Sequence, residues 1–212
     1  MTEITFIIVT CLSVILFYLG TGKQNKGFLL YVGWILVVAL LSWLGFFKNT
    51  TAMPPRILLV IVPAIIFVIY SFKKIQLIGL RRNYLIGIHI LRIPVELVLF
   101  QLYIQGKIPV IMTFAGWNFD ILMGISAALM LGWTIVTEME VGQTRFRVWN
   151  IVGIVFLAII VGIAILSAPS PIQQLAFDRP NLAILQFPYT LLPAIVVPLV
   201  LLSHLLCLKK IG

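Results

Sequence analysis

His89, Arg92 and Glu96 stand together inside the otherwise apolar stretch Tyr84 to Gln105. A weak base, a fixed cation and an acid within about two helical turns are the side chains that hold a polar ligand or pass a proton. At ~100° per residue, His89, Arg92, Glu96 and Tyr103 fall within about 60° of one another, so a helix presents them as a single stripe. An ionisable group in the middle of an apolar span costs a few kcal/mol, and such groups face protein, water or a partner charge rather than lipid. Arg92 and Glu96, four residues apart, are expected to neutralise each other, although Arg before Glu is the weaker order. Pro94 removes a backbone donor and is expected to kink this helix, leaving the carbonyl of Ile90 in need of another donor.

A second set of polar groups lies in the last apolar stretch, where Gln186 and His204 are five turns apart and share a face, with Tyr189 and Thr190 nearby. His89 and His204 lie about 7 Å and about 6 Å inside the same predicted boundary. If the two helices are neighbours, the histidines meet beneath the Arg92 and Glu96 pair. Asp120 opens another helix, either as a cap beside Asn118 or as a ligand contact.

Composition decides what carries these residues. The chain is 62% hydrophobic and 10% charged with a mean hydropathy of +1.16, against roughly 25% charged in soluble domains. It is expected to be an all-α, polytopic membrane helix bundle, a single domain over residues 1–212, set in the inner (cytoplasmic) membrane of a bacterium. Seven runs are predicted as transmembrane helices: 4–19, 28–47, 57–72, 84–105, 121–137, 148–166 and 183–208. Glu3 and the lack of a basic region before the first run argue against a cleaved signal peptide.

Ten Lys and Arg residues (Lys23, Lys26, Lys73, Lys74, Arg81, Arg82, Arg145, Arg147, Lys209, Lys210) fall in one set of alternate connections and four (Lys48, Arg56, Lys107, Arg179) in the other. That asymmetry places the amino terminus outside and the carboxyl terminus in the cytoplasm. The net charge of +9 is therefore read as a topology signal, with the lipid bilayer and a small-molecule ligand as partners and no nucleic acid.

The remaining patterns are mostly structural. Gly124, Ala128 and Gly132, and likewise Ala158 and Gly162, are expected at close helix contacts. Trp117 and Trp149 open helices, as interfacial aromatics do. The connection GKIPVIMTFAGWNFD is too apolar for a free aqueous loop and too short to span, so it lies in the outer interface or dips into the bundle. No triad spacing, Walker motif, dinucleotide glycine pattern or Cys/His metal spacing is present, and no lysine inside the last run could carry retinal.

Three functional readings follow. The first is a bundle that binds or translocates a small molecule or proton at Arg92, Glu96 and His89, facing the last helix. The second is an accessory subunit with a buried structural ion pair. The third is a redox protein holding haem b or a metal with His89 and His204.

Overall fold

The computed structural model describes residues 2–211, with the backbone alone for residues 25–28. The side chains of Lys26, counted above, and Phe28, the predicted start of the second run, thus lie outside the described set. Among the described residues the chain is helical without a strand: α1 (Thr2–Gly20), α2 (Asn25–Trp43), α3 (Leu58–Lys74), α4 (Arg82–Ile90), α5 (Arg92–Ile104), α6 (Asp120–Thr137), α7 (Gln143–Leu166) and α8 (Val197–Ile211). α4 and α5 form one rod through Leu91, giving seven rods.

Among the described residues, five rods are long and apolar enough to cross a membrane: α1, α4 with α5, α6, α7, and Leu192–Ile211. α2 contributes a shorter apolar stretch, Leu29–Trp43, and α3 has 17 residues, about 26 Å at ~1.5 Å per residue. The outward faces are as apolar as the interior. Leu29, Leu36 and Trp43 of α2, Leu129, Trp133 and Val136 of α6, and Val148 and Val155 of α7 are all exposed. An apolar surface of that extent is suited to lipid or protein rather than to water.

α8 is the core of the bundle. Leu199, Leu202, His204 and Leu206 are fully buried, and the helix packs on α1, α3, α4 and α7. α1 also packs on α4 and α5, and α6 on α4, α5 and α7. One end of the bundle gathers the basic connections. There Arg81 N donates to Gly20 O (2.8 Å), Lys209 Nζ to Phe72 O (3.0 Å) and Lys210 Nζ to Leu80 O (2.8 Å). Phe72 lies in the last turn of α3, where a lysine meets both unsatisfied carbonyls and the negative end of the helix dipole. At the opposite end Tyr189 donates to Thr2 Oγ1 (3.0 Å), Ser42 and Thr190 share a hydrogen bond (2.8 Å), and Leu182 N donates to Lys107 O (2.9 Å).

Two predicted rods differ from those observed, both because of proline. The run 183–208 is not one helix. A 3-10 turn covers Ala183–Leu185, Gln186 is extended, and a π turn over Leu192–Val196 leads into α8. Pro188 and Pro193 each lack a backbone donor, so regular helix is established only beyond them. The break near Pro94 falls at Leu91, whose N–H donates to Ile88 O at 3.1 Å, a tighter turn than the regular helical bond.

The small-residue positions also divide. A Cβ at Gly124 would come within 2.7 Å of Ile93 Cγ1 and 3.1 Å of Ile93 N, so α6 is seated directly on α5 there. Gly132 and Gly162 meet nothing within 4 Å, so neither is a close packing position. Gly124→Leu is expected to destabilise the protein by about 1–3 kcal/mol through overpacking, and Gly132→Leu by no more than about 0.5 kcal/mol. Thermal unfolding of the two detergent-purified variants checks this, and equal losses would contradict the packing assigned to α6.

Candidate functional site

The connection between α5 and α6 folds back beside the helices because it satisfies its own backbone. After the 3-10 turn Val110–Met112, Gly116 N and Asn118 N donate to Thr113 O (2.8 and 3.3 Å), and Trp117 N donates to Ile111 O (3.2 Å). Buried irregular backbone is tolerated only with such bonding. Gly116 permits the closure, since a Cβ there would run into Val110 O and the Ile111 Cα.

This loop delivers Asn118, which is buried, to α5. Its Nδ2 donates to Glu96 Oε1 (2.6 Å) and to Met112 O (3.0 Å), while its Oδ1 accepts from Asp120 N (3.1 Å). One amide thereby ties together α5, the loop and the first residue of α6. Phe119 occupies the cap position without a side-chain cap bond, and Asn118, one residue earlier, accepts the first N–H of α6 as a capping side chain does. Asp120 is turned instead toward Arg92, with Nη1 and Oδ1 at 3.5 Å. Among the described residues this is the only ion pair of Arg92, so the expected Arg92 to Glu96 pairing is replaced by one between α5 and α6. That preference is physical: Arg before Glu on one helix is poorly oriented, whereas a neighbouring helix start brings Asp120 alongside.

The three charges are buried and incompletely partnered. Arg92 is 4% exposed and Glu96 1%. The guanidinium nitrogens, Glu96 Oε2 and Asp120 Oδ1 have no hydrogen-bond partner. Such groups are costly to leave unpaired.

One turn nearer the basic end, His89 and His204 stack with ring centroids 3.9 Å apart and planes at 28°. Asn150 Nδ2 donates to Phe146 O (2.8 Å), so its Oδ1 is left to accept from His204 Nδ1 (2.8 Å), and His204 Nε2 has no hydrogen-bond partner. Ser203 Oγ donates to Val200 O (2.9 Å) and accepts from His89 Nε2 at 3.4 Å, leaving His89 Nδ1 bare. Trp149 presses edge-on against His89, with centroids at 5.1 Å, and donates to Ser126 Oγ (2.9 Å). Phe146 stacks on Trp149, and the Arg82 guanidinium covers Phe146 at 3.6 Å while pairing with Glu140 at 2.7 Å. This column separates the histidines from the basic end.

A cavity of about 510 Å³ lies on the other side of the charged cluster, within the roughly 300–1,000 Å³ range of small-molecule sites. Its wall is almost entirely aliphatic, contributed by α3, α5, α7 and the segment from Tyr189 to Leu201. The polar side chains on it belong to Glu96, Asp120, Asn181 and Tyr189. Ile65 and Ile69 of α3 and Ala158 of α7 line it and are also exposed, so it opens sideways between α3 and α7.

The structure therefore brings together His89, Arg92, Glu96, Asp120 and His204, and sets Tyr189 on the cavity wall. Tyr103 and Gln186 do not join them. Tyr103 shares the helical stripe but stands about 10 Å further along the axis than Glu96, where Arg179 covers its ring at 5.2 Å. Gln186 is half-buried and outside any helix because the proline-broken segment does not keep its phase with His204. Asn118, Asn150, Ser203 and Trp149 complete the site; the sequence pointed to Asn118 only as a cap and to Trp149 only as an interfacial aromatic, and did not single out Asn150 or Ser203. An amide inside an apolar run was the visible signal for Asn150, and a capping residue type just before a predicted helix was the signal for Asn118.

The geometry does not suit haem. Axial ligation needs two nitrogens on opposite faces of a porphyrin, and rings stacked at 3.9 Å leave no layer between them. Among the described residues, no three His, Cys, Asp or Glu side chains are grouped to hold a metal.

Neither the curated proteins nor the solved structures contain a match to this chain. The charged cluster, the histidine pair and their amide partners all fall within residues 53–211, which match a family described as a domain of unknown function, DUF8737, and the chain belongs to that family.

Proposed function

We propose that this is an integral membrane protein that takes a small, membrane-dissolved molecule into the cavity between α3, α7 and α8 and holds its polar end against the Glu96 and Asp120 carboxylates. In this reading the seven rods each cross the bilayer, with the amino terminus outside and the basic end in the cytoplasm, in the cytoplasmic membrane of a bacterium. α2 and α3 are short, and local thinning of the bilayer accommodates them at modest cost. The ten-to-four distribution of basic residues supports the orientation.

The observation that carries the proposal is a sizeable apolar cavity whose wall includes two buried carboxylates with unpartnered oxygens. Apolar lining with a few convergent polar groups is the ordinary make-up of a ligand site, and ionisable residues inside membrane spans mark ligand or proton pathways. The side opening lets a lipophilic molecule enter from the bilayer. A purely structural ion pair, the competing reading, calls for neither the cavity nor the opening.

A neutral aryl-diazirine photoprobe in proteoliposomes tests this. Labelling is expected on the lipid-facing residues of α6 and also at the interior positions Glu96 and Leu157. Ala158→Trp, which fills the cavity, is expected to remove the interior labels and leave those on α6. Labels confined to the outer faces of the wild-type protein would refute the proposal.

A further inference from the structure

The cavity wall also specifies the charge of its occupant. Two carboxylates, Glu96 and Asp120, face one guanidinium, and Arg92 is committed to Asp120 at 3.5 Å. Glu96 has Asn118 on Oε1, but a neutral amide supplies no charge, and Oε2 has no partner although the residue is 1% exposed. A surplus negative charge in an aliphatic enclosure is unfavourable unless a cation or a proton joins it. Two aromatic rings, Phe6 and Tyr189, paired edge-on at 5.4 Å, line the same wall, and aromatic rings are favourable neighbours for a positive charge. An anion would meet two carboxylates, and beside a neutral guest only a proton could compensate Glu96.

We infer that the occupant is a lipophilic organic cation, a single positive charge on an apolar body, with Glu96 as its counter-ion. The inference rests on the cavity being a ligand site. When the cavity is empty a proton takes the place of the cation, so the two compete. The titratable groups bearing on Glu96 are Arg92 on its own rod, Asp120 at the start of α6 and Tyr189 on the wall, with His89 and His204 beyond Arg92. Among the described residues, α1, α3 and α7 place no titratable side chain on the wall.

The experiment is binding of radiolabelled tetraphenylphosphonium to the full-length protein in nanodiscs of zwitterionic lipid. Saturable binding is expected, weakening by about tenfold or more in Glu96→Gln and falling as pH is lowered from about 8 to about 5, where protons occupy the carboxylate. Labelling of Glu96→Gln by the neutral photoprobe verifies that the variant is folded, and if it is not, the pH profile of the wild-type protein decides. Binding that is equal in a folded Glu96→Gln, or insensitive to pH, overturns the inference. Interior labelling by the neutral probe without phosphonium binding overturns the cation assignment while the ligand site stands. Absence of both removes site and assignment together.

Discussion

Arg92→Met is expected to destabilise the folded protein by about 3–5 kcal/mol, because it strands Asp120 in the interior without its cation. Asp120→Leu should cost a similar amount, since it strands Arg92, whose nitrogens already lack hydrogen-bond partners. The double variant Arg92→Met/Asp120→Leu removes both charges and replaces them with apolar volume, a change that is often nearly neutral for buried pairs. It should therefore recover most of the loss. The coupling is read from thermal unfolding of the four proteins in one detergent. A double variant whose loss equals the sum of the single losses would mean that the pair at 3.5 Å does not join α5 to α6.

Gly153→Ala is expected to destabilise by about 2–4 kcal/mol, combining overpacking with the loss of a buried hydrogen bond. A Cβ at that position would fall on His204 Cε1 and Nε2 and come within 2.8 Å of the Met123 methyl. The imidazole cannot retreat easily. His89 is stacked on it at 3.9 Å, and Asn150 fixes its Nδ1 at 2.8 Å. Gly162→Ala, on the same helix with nothing within 4 Å, should change little and serves as the control in the same unfolding measurement. Equal behaviour of the two would show that α7 does not press against the histidine pair.

These residues show where sequence periodicity reached and where it stopped. The 3.6-residue repeat placed His89, Arg92 and Glu96 on one stripe, and equal depth along two rods anticipated the meeting of His89 with His204, because rise per residue is nearly constant in a helix. Helical phase is blind to position along the axis, which is why Tyr103 joined the stripe but not the site. It also assumes an unbroken rod, and the prolines after Leu185 cancel that assumption for Gln186. The partner of Arg92 was hidden for a different reason. Asp120 reaches it through an irregular loop, whose path is set by Thr113, Gly116 and Asn118 rather than by any repeat. The cavity was equally out of reach, since it follows from how α3 and α7 sit apart on α8.

An electron cryo-microscopy density map of the protein in a lipid bilayer tests the central claim most directly. The account predicts an open space between α3, α7 and α8, holding non-protein density beside Glu96 that disappears in Ala158→Trp. A bundle in which α3 and α7 close over α8, with their aliphatic side chains filling that space against Glu96 and Asp120, would contradict it.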